Sequence, residues 1–219
     1  MILQSRAARL TTVLALSVTI GAIGGCSSDS SAPKQPASPP ATRPDTRVKV
    51  TVGLVSVASA GGVVPLADTD RDAVVTAIGA YIKTATLDPL KAKATAPPTA
   101  ALTALINPSA APALAGPDGD AFLDTHLGPV TGTVRATLAP VNLTGLADKL
   151  GAVDLVGATL DLTVNANSIR GPFVIHRTGE LMFSRQAGAW KILSFRLAVT
   201  REGAGLAADA TTTTGGTKP

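Results

Sequence analysis

Few side chains in this sequence could do chemistry. One cysteine, Cys26, one tyrosine, Tyr81, and two histidines, His126 and His176, are spread over 219 residues. They offer a nucleophilic sulfur, a phenolic donor and two imidazoles able to carry a proton. Their spacing rules out several classes. Two histidines fifty residues apart with no further cysteine supply too few ligands for a metal, so no metal site is expected. No G-x-S-x-G, phosphate-binding loop or dinucleotide fingerprint occurs, and the glycine pairs at 61–62 and 215–216 sit in turn-like or low-complexity surroundings. No cofactor is implied.

Each candidate has its own setting. Tyr81 falls at helical spacing with Val74 and Ile78, which makes it a core residue whose hydroxyl could still tip into a pocket. His126 follows Asp124 by two positions, and residues two apart on a helix do not meet. It reads as a surface residue near a helix C-terminus. His176 lies on a strand with parity opposite to Ile175, sharing its side with Thr178 and Glu180. It faces solvent if Ile175 faces the core, and enters a cavity if the concave face of the sheet is the polar one.

Cys26 stands where an apolar run meets a polar one. Arg6 and Arg9 precede residues 10–23 (LTTVLALSVTIGAI), a stretch too short and too rich in Thr and Ser to span a bilayer as a stable helix. Ile23-Gly24-Gly25-Cys26 follows, and in this context it resembles the lipobox of bacterial lipoproteins. The resemblance implies a signal peptide over 1–25, cleavage between Gly25 and Cys26, and lipidation of the Cys26 sulfur. Two acyl chains, at about 0.8 kcal/mol per buried methylene, would hold the domain on the outer face of the cell membrane. Residues 26–47 are rich in Ser and Pro without an apolar run, the composition of an extended tether. The 203–219 segment has the same character and is expected to be disordered. The Ala/Thr/Pro/Gly-rich composition fits a high-GC actinobacterial source.

Charge is balanced in what remains. Without Arg6 and Arg9 the 19 basic side chains become 17 against 15 acidic, so the pI near 9.5 overstates the basicity. Aromatic residues are 3% of the chain, and no basic stripe with interleaved aromatics marks a nucleic-acid surface. No nucleic-acid partner is expected.

Between tether and tail, residues 48–202 have the length of one domain. Val48, Val50, Val52 and Leu54 alternate with Lys49, Thr51 and Gly53, predicting a strand over about 48–57. Thr69 as N-cap and Asp72 in the first turn predict a helix that buries Val74, Ile78, Tyr81, Ile82 and Ala85 and ends near Asp88-Pro89. Short helices are predicted over about 99–106, with Leu102, Leu105 and Ile106 apolar, and over about 118–127, with Phe122, Leu123 and Leu127 apolar. The period then becomes two. Val134, Ala136 and Leu138 suggest one strand and Leu160, Leu162 and Val164 another. Three runs close the domain at about 172–178, 180–186 and 189–200, with a hairpin turn at Gln186-Ala187-Gly188. Trp190 and Ile192 have parity opposite to Leu193, Phe195 and Leu197, which requires either a bulge or a sheet covered on both faces.

Helices followed by an antiparallel meander give an α+β plan with helices packed on a curved sheet. The ending GELMFSRQAGAWKILSFRLAV, and the order of helices and closing sheet over 69–201, resemble the nuclear-transport-factor-2-like (NTF2-like) cone fold. That resemblance implies a pocket enclosed by sheet and helices, in which isomerases and cyclases of the family place an acid or base. The readings that follow are a non-catalytic lipoprotein domain binding a small apolar ligand or an envelope protein, an isomerase- or cyclase-type enzyme using Tyr81, His176 or one of the aspartates, and an envelope scaffold with a filled interior.

Overall fold

The computed structural model describes residues 48–59, 61–62, 64–92, 99–115, 117–123, 130–206 and 213–214, all within the unit Arg43–Pro219. The expected signal and tether, Gly25 and Cys26, and the Asp124–His126 pair lie outside these residues.

The first strand, β1, is Val52–Ala58. Val48, Val50 and Val52 are partly buried as their alternation predicts, but Leu54 is 76% exposed. The register shifts between Val52 and Val55, where these four residues of β1 oppose the three from Val141 to Leu143. The extra residue reverses the parity and turns Leu54 outward.

Helix α1 (Asp68–Ile82) buries Val74, Ile78, Tyr81 and Ile82 on one stripe. It starts before Thr69. Ala67 is the N-cap without a side-chain bond, and its carbonyl accepts from the Asp70 and Arg71 amides at 3.0 and 2.9 Å. Asp68 and Asp70 in the first turn complement the helix dipole instead. Nor does the helix stop at Asp88-Pro89. Residues Lys83–Leu87 form a π-helical turn in which the Asp88 amide donates to the Lys83 carbonyl, and α2 (Asp88–Ala92) continues from it. Proline has no amide and its ring presses on the carbonyl four residues back; the wider turn moves that carbonyl aside.

Helix α3 (Thr99–Leu105), a 3-10 turn at Pro108–Ala115 and α4 (Pro117–Leu123) complete the helical layer. Leu102, Ile106 and Phe122 are buried, and Ile106 bridges to Ile192 of the sheet.

The sheet comprises β1, β2 (Val130–Leu138), β3 (Val141–Ala147), β4 (Val153–Ser168), β5 (Gly171–Gln186), β6 (Ala189–Glu202) and β7 (Thr213–Thr214). Its order is β1-β3-β4-β5-β6-β7, with β2 also on β4. β3 pairs with Val153–Ala158 and β2 with Leu162–Ser168. The two line the same side of β4 and are separated at Ala139-Pro140, where the missing proline amide interrupts the ladder. The result is α+β with a curved, unclosed sheet. It is mixed rather than all antiparallel: β1 runs parallel to β3, because the helices between them return the chain to the same end.

The runs at 172–178 and 180–186 are one strand, β5, continuous through Gly179. Gly179 has φ +141°, and a Cβ there would stand 2.0 Å from the Arg196 carbonyl oxygen. Only glycine permits so close an approach. The expected hairpin turn is made by two residues, Ala187 (φ 48°) and Gly188 (φ 80°), and is closed by Gln186, the last residue of β5, opposite Ala189. The parity conflict in β6 is resolved by a bulge: Met182 faces Ser194 and Phe183 faces Ile192, leaving Leu193 as the extra residue.

Beyond β6, residues 203–206 fold back on β5. The Gly205 amide donates to the Pro172 carbonyl at 3.0 Å, and the Ser168 hydroxyl donates to the Gly205 carbonyl at 2.6 Å.

Candidate functional site

One face of the sheet packs on the helices. Leu160, Leu162 and Val164 of β4, Ile175, Leu181 and Phe183 of β5, and Leu197 and Val199 of β6 form its buried rows. Tyr81 enters this layer from α1. Its ring lies 4.6 Å from that of Phe122, which lies 4.4 Å from Phe195. The Tyr81 hydroxyl donates to the Phe122 carbonyl at 3.0 Å, so its proton is committed to a backbone acceptor.

Arg177, which the sequence reading passed over, occupies the same layer at 0% exposure. Its guanidinium donates to the Thr86 hydroxyl in the π-helical turn and stands 5.9 Å over the Tyr81 ring. The signal was present in the sequence: Arg177 shares parity with Ile175 and Leu181, the buried row of its strand.

The opposite face is polar. His176 points there with its side chain 49% exposed, as expected when Ile175 faces the core. Its Nε2 is 3.1 Å from Thr163 Oγ1, and its Nδ1 is 3.9 Å from Asp161 Oδ1. The order Thr–His–Asp is that of a nucleophile relay, but 3.9 Å is beyond a hydrogen bond. An oxyanion also needs amide donors aimed at it. The amides here belong to central strands flanked on both sides, β4 by β2 and β5, and β5 by β4 and β6. Tyr81 and His176 therefore lie on opposite faces of one sheet, and the structure does not bring them together.

The same outer face carries a trough of about 260 Å³ lined by Asn142, Thr144, Gly157, Thr159, Glu180 and Met182. Its floor is Gly157, which pairs with Thr144 on one side and Met182 on the other and contributes no side chain. A second hollow, about 190 Å³, continues past Glu180 to Ser194 and Arg196. Asn142 is fixed at one end: its Oδ1 accepts from the Leu54 amide at 2.9 Å, and its own amide donates to Thr159 Oγ1 at 3.1 Å. Hydroxyls, an amide, a thioether, one carboxylate and one guanidinium set polar and apolar groups side by side along the two hollows. Sequence patterns did not point to it, because its walls come from four strands whose register had to be known first.

The hairpin of β5 and β6 is tied to the helical layer by Asp70. Its Oδ1 accepts from Arg185 at 2.7 Å and from the Trp190 indole at 3.2 Å, while the Arg185 guanidinium lies 4.9 Å over the Trp190 ring. Among the described residues no group of three or more His, Cys, Asp or Glu is placed to hold a metal ion. No helix among them is long and apolar enough to cross a membrane. Comparison with protein families, curated proteins and solved structures finds no match to the chain.

Proposed function

We propose that this chain is an exported cell-envelope lipoprotein, anchored through Cys26 on the outer face of the membrane. Its NTF2-like domain binds a ligand or a partner protein through the outer-face trough and performs no catalysis. One observation carries the non-catalytic reading: Tyr81 and His176, the named candidates for an acid and a base in one cavity, stand on opposite faces of the sheet. The Tyr81–Phe122–Phe195 stack, which occupies part of the helix-facing layer, supports the scaffold form of this reading, with a partner protein rather than a small apolar molecule as occupant.

Two experiments test the two halves separately. Cys26→Ala should move the protein from the membrane to the soluble fraction; continued firm membrane association overturns the anchor. For the trough, a Cβ on Gly157 would meet only the Thr144 carbonyl oxygen at 3.7 Å and the Met182 Cε at 3.8 Å, ordinary contacts. Gly157→Phe should therefore fold and fill the trough. Mass spectrometry of material purified gently from native membranes should show a bound protein or small molecule that Gly157→Phe loses. Retention of the same species by that variant overturns the assignment.

A further inference from the structure

The edges of this sheet are treated unequally. β6 is covered by β7 at Ala198 and Val199 and carries Lys191, Arg196 and Glu202, charges of the kind that keep strand edges from pairing with other chains. β1 has no such protection. From Val50 to Ala67 the sequence contains no charged residue. Among the described residues β1 pairs with β3 alone, leaving its other edge without a strand. It also projects beyond its cover. Gly53, Leu54, Val55 and Ser56 are all exposed, Val55 at 43% although it lies on the helix-facing side of the sheet.

We infer that β1 is a pairing edge and that its occupant is a second copy of this chain, docked antiparallel to join two sheets into one. A free edge offers amides and carbonyls in the spacing of an extended strand, so the occupant must itself be a strand. An uncharged apolar strand is matched by another without charge, and β1 is self-complementary. With the twofold axis at Val55, the two Val55 side chains meet, and Leu54 of each copy falls beside Ser56 of the other. Such a closed, isologous contact stops at two copies. One strand pair buries less than the roughly 1,000 Å² of a stable interface, so the dimer is weak and concentration-dependent.

Sedimentation velocity on the full chain in mild detergent tests this. The expected result is a monomer that becomes a dimer as concentration rises, whereas Leu54→Lys, at a position already in solvent, stays monomeric with an unchanged circular dichroism spectrum. In a Cys26→Ala background, Val55→Cys should form an intermolecular disulfide under mild oxidation. A wild-type chain that remains monomeric throughout, or a Leu54→Lys chain that dimerises as readily, overturns the inference. A heterologous strand protein found on β1 while the purified chain stays monomeric overturns it equally.

Discussion

His176 and Arg177 are consecutive on β5, yet one stands half in water and the other is sealed between sheet and helices. The side chains of a strand alternate between its faces, so a single step along the backbone exchanges one environment for the other. The residue that looks chemical from its type, His176, meets Thr163 across a solvated surface where water competes for both. The residue whose type suggests solvent, Arg177, engages Thr86 and Tyr81 in the driest part of the domain. Titratable character therefore does not locate function in this fold. The side of the sheet sets each residue's surroundings: the helix-facing side is buried, and the outer side meets solvent.

Substitutions on the two sides should differ by an order of magnitude. Arg177→Ala removes a fully buried side chain and the donor to Thr86, and should cost about 3–5 kcal/mol, read as a fall in the urea midpoint. A midpoint near wild type would mean the layer rearranges around the gap, and the contrast between the faces would collapse. Tyr81→Phe keeps the aromatic ring and deletes the hydroxyl bond to the Phe122 carbonyl, a loss of about 1 kcal/mol in the same measurement. A much larger loss would show that the hydroxyl has a second role. His176→Ala should shift stability by no more than about 0.5 kcal/mol, because its partners are exposed. A larger shift would show that the Thr163–His176–Asp161 row is structural after all.

How far these features could be read beforehand depended on how local their causes are. The α1 stripe of Val74, Ile78, Tyr81 and Ile82, the turn at Gln186-Ala187-Gly188 and the parity conflict at Trp190 were legible, since each is written within a few residues. β3 was not, because Pro140 and Gly145 punctuate Val141 and Leu143 and leave too short an apolar alternation. Gly179 looked like a gap between two strands, since nothing nearby in sequence reveals that the Arg196 carbonyl will approach it. Leu54 was assigned to the wrong face because its parity is set by a register shift against β3, which only pairing defines. The trough lay furthest from view. Asn142, Gly157 and Glu180 in the trough, and Arg196 in the adjoining hollow, are brought together by the order of four strands, and none of them is distinctive alone.

The π-helical turn at Lys83–Leu87 ties chain length to composition. Upstream the buried positions run through Val74, Ile78, Tyr81 and Ile82; the wide turn buries Ala85, Thr86 and Leu87 in succession before Leu90, taking in one residue more than an α-helical turn. That added residue makes room for the Pro89 ring. Loss of one residue here would drive the proline against the preceding turn, and loss of the proline would remove the reason for the wider turn. Among descendants of this sequence the insertion and Pro89 should therefore be kept together or lost together, a paired inheritance arising from one helical turn.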